Sequence, residues 1–309
     1  MTESIIRAKA PGKLMMLGEH AVLHGYRSMV CAVDQYITVE LKSRNDRVVH
    51  ITSSIGDLVV DLENIVIDEP FQFICSCLKS HADSIQNGFD LTVNSDFPHN
   101  VGLGSSAAVT VATHAALYCL TGATATDDTI FEKSIETVRA IQGTASGADV
   151  AASVYGGIIV YRMNPMELKQ FTQTCPITVV YSGAKEKTSH VIRFIQEKYD
   201  AAPDEYDGYF RTIDNCVESA IDALNANDWG RVGDSMKMNH LLMKKMELTN
   251  PAIDNIITEL NRSDDILAAK ISGSGKGDCV IALGKLAECL NYEVYDMAIS
   301  PVGVEIEIV

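Results

Sequence analysis

Residues 89–121 place a strand-like run, a glycine-rich turn and a long small-residue segment directly one after another, and this junction constrains the chain more than any other feature. The run is FDLTVNS, the turn is FPHNVGLGSS, and the segment after it reads AAVTVATHAALYCL. A helix that starts straight after such a turn leaves its first N–H groups without intrahelical partners. It also aims the positive end of its dipole at the turn. Gly102 and Gly104 let the backbone come close to a ligand, and Ser105 and Ser106 add hydroxyls that can meet a phosphate or a metal ion. Together these make an anion cradle. Taken alone, GLGSS is more simply a glycine turn with a serine N-cap. It is neither a Walker A sequence nor a dinucleotide fingerprint, because no Lys-Ser/Thr follows the glycines and GxGxxG is not satisfied.

The flanking pattern is mixed α and β. Alternation and β-branched content predict strands over 4–9, 29–33, 36–42, 47–52, 57–61 and 89–94, and further strands over 157–162 and 176–182. Helices are predicted over 105–120 and 127–141, the second with Thr126 and Asp127 as candidate N-caps. The second half is helix-rich, with helices over 186–198, 206–226, 228–246 and 250–261, the last opening on Asn250-Pro251. Strands near 268–272, 278–283, 293–298 and 303–308 follow, with a short helix near 285–291. Strands placed around helices in this order suggest an α+β half of split βαβ type. A boundary near residue 175 fits, although no change in composition marks it.

Composition narrows the class of partner. The chain of 309 residues carries 25 basic and 41 acidic side chains, a net charge of −16. Such a surface argues against a nucleic-acid partner, which needs clustered Lys and Arg. An anionic substrate would need a local cationic site to overcome the overall field. The acidity otherwise serves solubility. The eight cysteines, at 31, 75, 77, 119, 175, 216, 279 and 289, have no zinc or CxxC spacing and read as reduced, buried small apolar residues. MTESIIRAKAPGK has no apolar core of a signal peptide, and no run of about 18 apolar residues occurs. The expectation is a cytoplasmic protein with no membrane partner.

Three further segments stand with the glycine junction. Residues 10–25 read APGKLMMLGEHAVLHG, residues 146–157 read SGADVAASVYGG, and residues 270–279 read KISGSGKGDC. In their order and spacing these resemble the motifs of the GHMP kinase superfamily, in the form found among mevalonate kinases. PGK…GEHAV…G resembles the first motif and PHNVGLGSSAA the phosphate loop. The resemblance runs from about residue 5 to residue 284. It implies an α+β two-domain fold. Residues 1–175 would form an ATP-binding domain like the second domain of ribosomal protein S5, and residues 176–309 a ferredoxin-like domain, with the active site in the cleft between them. It also implies transfer of the γ-phosphate of ATP to the primary hydroxyl of mevalonate, with Mg²⁺ required. Asp149 aligns with the catalytic base, Lys13 with the lysine beside it, and Ser106 with a magnesium ligand. The backbone of Gly102, Leu103, Gly104, Ser105, Ser106 and Ala107 would hold the triphosphate. Glu19, His20 and Thr188 fall in the segments implied to line the substrate pocket.

Without the resemblance, each of these residues has a plainer reading. Asp149 would be a helix-cap carboxylate, Lys13 a surface lysine in a turn, and His20 an ordinary half-buried histidine. With it, an ammonium at Lys13 would keep the Asp149 carboxylate ionised and ready to take the hydroxyl proton. The match is incomplete at two places. Mevalonate kinases commonly carry a magnesium-binding glutamate eleven residues before the aspartate, and Val138 stands there. Glu136 is displaced by about 200° around the helix, at ~100° per residue. Glu132 and Glu136 therefore read as a solvated face, and the metal would keep more of its water. The third motif, usually an uninterrupted run of small residues, is broken by Lys276 and Asp278. Lys276 would reach either phosphate or carboxylate, or solvent.

IQGTASGAD also resembles phosphomevalonate kinases, whose acceptor would ask for extra cations. Arg139, Lys185, Lys187 and Lys276 are the candidates. A silent ligand-binding sensor of the same fold is a third reading, opposed by the presence of both Lys13 and Asp149. Met236, Met238, Met243 and Met246 read as helix packing. The sequence is compatible with a homodimer but does not fix the oligomeric state.

Overall fold

A computed structural model describes residues 4–98, 101–184, 186–286 and 291–309. Lys185, Cys289 and most of the short helix expected near 285–291 lie outside the described residues.

The first sheet is built on two long strands. β1 (Ile5–Leu17) begins with alternating burial and becomes wholly buried from Ala10 onwards. It pairs antiparallel with β2 (Ser28–Ser43), which unites the two strands expected over 29–33 and 36–42. The sequence hides this union because the register skips: Pro11 faces Tyr36 while Gly12 faces Val33, so Asp34 and Gln35 bulge out opposite a Pro-Gly pair. β3 (Val48–Ser53), β4 (Gly56–Asp61) and β5 (Phe89–Ser95) extend the sheet, and β3–β5 is its parallel pair.

α1 (Gln72–His81), which the sequence reading did not contain, joins α2 (Ser105–Thr121), α3 (Asp127–Gln142) and α4 (Ala148–Tyr155). Thr126 caps α3 by accepting from the Thr129 N–H. α2 is apolar almost all round, with ten buried residues from Ala107 to Leu117, and therefore sits inside the protein with only its two ends near solvent. A polar thread crosses this layer: His81 and His114 share a hydrogen bond of 3.0 Å, and His114 contacts the Thr137 hydroxyl at 2.9 Å. Burial drops the His114 pKa to about 3, so the ring is neutral.

β6 (Ile158–Met163) pairs with β2, and β7 (Met166–Phe171), a strand not expected from the sequence, pairs with β6. The expected division at 175/176 falls between β7 and β8 (Pro176–Tyr181), the first strand of a second sheet. Between β8 and β9 (Ile266–Ser272) come α5 (Thr188–Ala201), α6 (Pro203–Asn225), α7 (Trp229–Lys245) and α8 (Pro251–Leu260). Asn250 caps α8 as expected, accepting from the Ile253 N–H with Pro251 behind it. β10 (Cys279–Gly284) and β11 (Glu293–Ala298) complete an antiparallel sheet of order β11-β8-β10-β9.

A contiguous second domain over 176–309 needs one correction. β12 (Glu305–Ile308) returns to the first sheet and pairs with β1, where Lys9 and Arg7 meet Glu305 and Glu307 across that edge. Of the four methionines read as packing, Met236, Met243 and Met246 are buried, but Met238 is 46% exposed on the outer face of α7. The seven described cysteines are free thiols.

Candidate active site

The two sheets meet along a cleft of about 700 Å³ that contains the starts of three helices. Its floor is the end of β1. Gly12 lets that strand approach the glycine turn: a Cβ there would lie 3.0 Å from the Leu103 carbonyl, and the Lys13 N–H donates to the same carbonyl at 2.9 Å. The turn itself runs through Gly102 and Gly104, whose φ values of 81° and 74° belong to the left-handed region. Gly104 is the N-cap of α2 and has no side chain with which to cap. The helix start therefore offers its N–H groups to the cleft, and the expected serine N-cap is replaced by serines at the first two helical positions. Ser105, Ser106 and Ala107 line the cleft. Leu103 does not: its side chain is in the core, and its carbonyl is committed to Lys13. A glycine pair in this geometry at an uncapped helix start suits a phosphate group.

Lys13 is buried, and its Nζ lies 3.2 Å from Asp149 Oδ2. Asp149 occupies the first turn of α4, next to Gly147 (φ 97°), where a helix dipole favours a carboxylate. Its side chain is 42% exposed toward the cleft and turned to Lys13, so it is neither a cap nor a surface group. Thr188 opens α5 and borders the cleft beside Lys187.

His20 is buried, with an Nε2 that donates to the Ser274 carbonyl at 2.7 Å. Burial lowers its pKa to about 4, so the ring is neutral at pH 7. Glu19 is also buried. One carboxylate oxygen accepts from Lys270 Nζ, and the other accepts from Asn239 Nδ2 at 3.2 Å. Burial pulls the Lys270 pKa down while Glu19 pulls it back up. Lys270 and Asn239 were missed in the sequence. A lysine in the middle of the apolar strand ILAAKIS was the available signal, because a charge there demands a buried partner.

The departures from the motif pattern now have positions. Val138 lines the cleft as an apolar wall, whereas Glu136 points away and pairs with Lys133 at 3.1 Å. Gln142, one turn beyond Val138, donates to Ser106 Oγ at 3.4 Å. No group of three or more His, Cys, Asp or Glu side chains able to hold a metal occurs among the described residues. Lys276 does not line the cleft: it is partly exposed, and its Nζ sits 3.3 Å from the centre of the Phe194 ring. Asp278 is buried in the cleft wall, between Gly102 and Gly273. No helix among the described residues is long and apolar enough to cross a membrane.

Comparison with known proteins gives a consistent picture. Residues 71–157 match the GHMP kinases N-terminal domain, and residues 220–288 match the GHMP kinases C-terminal domain. The chain is 30% identical over 292 residues to the mevalonate kinase of Methanocaldococcus jannaschii, covering 89% of this chain and 90% of that one. It is 30% identical over 280 residues to the mevalonate kinase of Archaeoglobus fulgidus, covering 90% and 92%. The crystal structure of the Methanococcus jannaschii mevalonate kinase superposes with a TM-score of 0.83 at 25% identity, covering 96% of this chain and 98% of that chain.

Proposed function

This chain belongs to the GHMP kinases, and on that premise we infer that it transfers the γ-phosphate of ATP to the primary hydroxyl of mevalonate, giving 5-phosphomevalonate and ADP. The observation that carries the reading is the Lys13–Asp149 pair, 3.2 Å apart, on the floor of a cleft whose wall is the glycine turn. Phosphoryl transfer asks a protein mainly to position its reactants and to neutralise charge. Asp149 accepts the proton of the acceptor hydroxyl as that oxygen bonds to the γ-phosphorus and the bond to the leaving ADP oxygen breaks. Lys13 pairs with Asp149 and lowers the cost of negative charge on the acceptor oxygen. The α2 start and the backbone of residues 102–107 hold the phosphates, with Leu103 contributing main chain only. Thr188 and His20 border the acceptor.

The cations around the cleft favour mevalonate over its phosphorylated product as acceptor. Of the described candidates for binding a second phosphate, Lys187 lines the cleft. Arg139 instead donates to the carbonyls of Ala145 and Ser146, and Lys276 is held over Phe194. A coupled ADP-release assay with mevalonate and 5-phosphomevalonate tests this. Turnover of mevalonate is expected. Turnover of 5-phosphomevalonate alone would move the assignment to the phosphomevalonate kinases, and no turnover of either would leave a ligand-binding sensor.

The donors present fit a magnesium ion held by the Ser106 hydroxyl, nucleotide phosphates and water. An apolar side chain at Val138 cannot ligate a hard cation, and Mg²⁺ tolerates several waters. When bound, the ion would neutralise charge on the transferring phosphate. Activity is expected to saturate only at millimolar-order Mg²⁺. Ser106→Ala should shift that curve to higher Mg²⁺, and Glu136→Gln should leave it in place. The opposite pair of results would make Glu136 the metal ligand.

A further inference from the structure

The end of β1 is tied to distant parts of the chain by a set of buried polar contacts that phosphoryl transfer itself does not require. Lys270 is 0% exposed and Glu19 2%. Lys270 Nζ donates to Glu19 Oε1 and to the Ile271 carbonyl. Asn239, on α7, donates to Glu19 Oε2 at 3.2 Å and accepts from the Gly18 N–H at 3.1 Å. On one side of this cluster, the Ser272 hydroxyl exchanges hydrogen bonds of 3.0 Å with the Met15 N–H and carbonyl. On the other, His20 donates to the Ser274 carbonyl. Apart from the bond to the neighbouring Ile271, these contacts bridge 220 residues or more and tie the first glycine-containing segment to the third and to α7.

An ion pair this deep is a poor source of stability, because both charges leave water. An apolar pair of similar volume would hold the two halves together at least as well. What a charged pair adds is direction: it is satisfied in one arrangement of donors and acceptors. That matters here because His20 is held in a left-handed conformation, φ 61°, which a non-glycine residue seldom adopts. Its two immediate predecessors, Gly18 and Glu19, are the residues that Asn239 and Lys270 grip.

We propose that Glu19, Lys270 and Asn239 form a positioning clamp that fixes His20 and the Gly273–Ser274 turn relative to Lys13, and so sets where the acceptor alcohol stands. On this reading Glu19 is a positioning residue rather than the substrate ligand that the motif implies: it borders the cleft, and each of its oxygens accepts from Lys270 or Asn239. The inference rests on the cleft being the site of transfer to a small alcohol.

The test uses Glu19→Gln, Lys270→Met, the double variant and Asn239→Ala in the full chain. Each charge-breaking single variant should melt about 10 °C lower, because it strands a buried partner, and the double variant should recover most of that loss. At a temperature well below melting, both singles should lose about 10- to 100-fold in kcat, as expected for a misplaced reactant. The double variant should be no worse than the weaker single, because the residues act as one unit. KM for ATP should stay within about twofold, since α2 is untouched. Asn239→Ala leaves the ion pair whole and keeps the test available if a charge variant does not fold; it should lower kcat in the same way. Loss of stability with unchanged kcat in every variant would reduce the clamp to a structural tie. A raised acceptor KM confined to Glu19→Gln, with Lys270→Met normal, would make Glu19 a substrate ligand. The His20 ring resonances, followed by NMR without substrate, should move in all four variants. If they do not move, the clamp is wrong whatever the acceptor, whereas failure of the wild type to turn over mevalonate counts only against the assigned reaction.

Discussion

Replacing Asp149 by asparagine is expected to lower kcat at least about 10²-fold, the usual contribution of a positioned general base, while ATP still binds. The separation of the two effects follows from where the residue sits. Asp149 belongs to α4, whereas the phosphate cradle belongs to the turn before α2. An amide at this position keeps the size of the side chain and its place beside Lys13, but it cannot take a proton from an alcohol. The loss should therefore appear in kcat and kcat/KM together, the mark of an interaction made in the transition state. Lys13→Met offers a useful contrast. It removes the cation 3.2 Å from the carboxylate and should depress turnover as well, since no ammonium then offsets negative charge on the acceptor oxygen. Stopped-assay turnover and calorimetric ATP affinity of purified Asp149→Asn check the claim. Turnover near that of the wild type, in a protein with wild-type ATP affinity, would remove Asp149 from the chemistry.

The strands and helices that frame this site were largely legible in the sequence, because they carry their own periodicity and caps. Thr126 and Asn250 cap the helices they were expected to cap, and the strand–turn–helix junction at 89–121 stands where it was read. Features set by long-range pairing were not legible. β12 pairs with β1, nearly 300 residues earlier, and no local pattern in GVEIEIV reports that partner. β7, MELKQF, alternates poorly and is a strand because β6 offers it an edge. The candidate site divides in the same way. Residues inside short motifs, such as Lys13, Ser106 and Asp149, converge on one cleft. Glu19 lies in such a motif too, yet it is paired with Lys270, 251 residues away, and no local pattern reports that partner. A motif shows which residues meet; it does not say which of them face the ligand and which hold the others in place.

Gly104→Val should abolish measurable turnover, and the reason differs from the one that the glycine turn alone suggests. A side chain at this position was expected to obstruct the phosphates. In the structure, a Cβ on Gly104 would fall 2.6 Å from Lys13 Cε and 2.9 Å from Lys13 Cγ, so its first collision is with the lysine that holds the base. The backbone adds a second penalty, since φ is 74° and a left-handed conformation costs an L-residue about 1–2 kcal/mol, more for a branched one. Lys13 is 6% exposed and its N–H is bonded to the Leu103 carbonyl next to the substituted residue, so its side chain is the part that must give. Either the lysine leaves Asp149 or the turn shifts away from β1, and each outcome dismantles the arrangement on which transfer depends. A loss of at least about 10³-fold in kcat/KM is expected, combining a misplaced base with a distorted cradle. Gly104→Ala carries the same Cβ without the branches and should show most of the loss in kcat while retaining more of the ATP affinity. Gly122→Ala is the control: it shares a positive φ, 66°, but a Cβ there would meet nothing within 4 Å, so it should affect stability slightly and turnover not at all. If Gly104→Ala weakened ATP binding and left kcat intact, the collision with Lys13 would not be what makes glycine necessary at this turn.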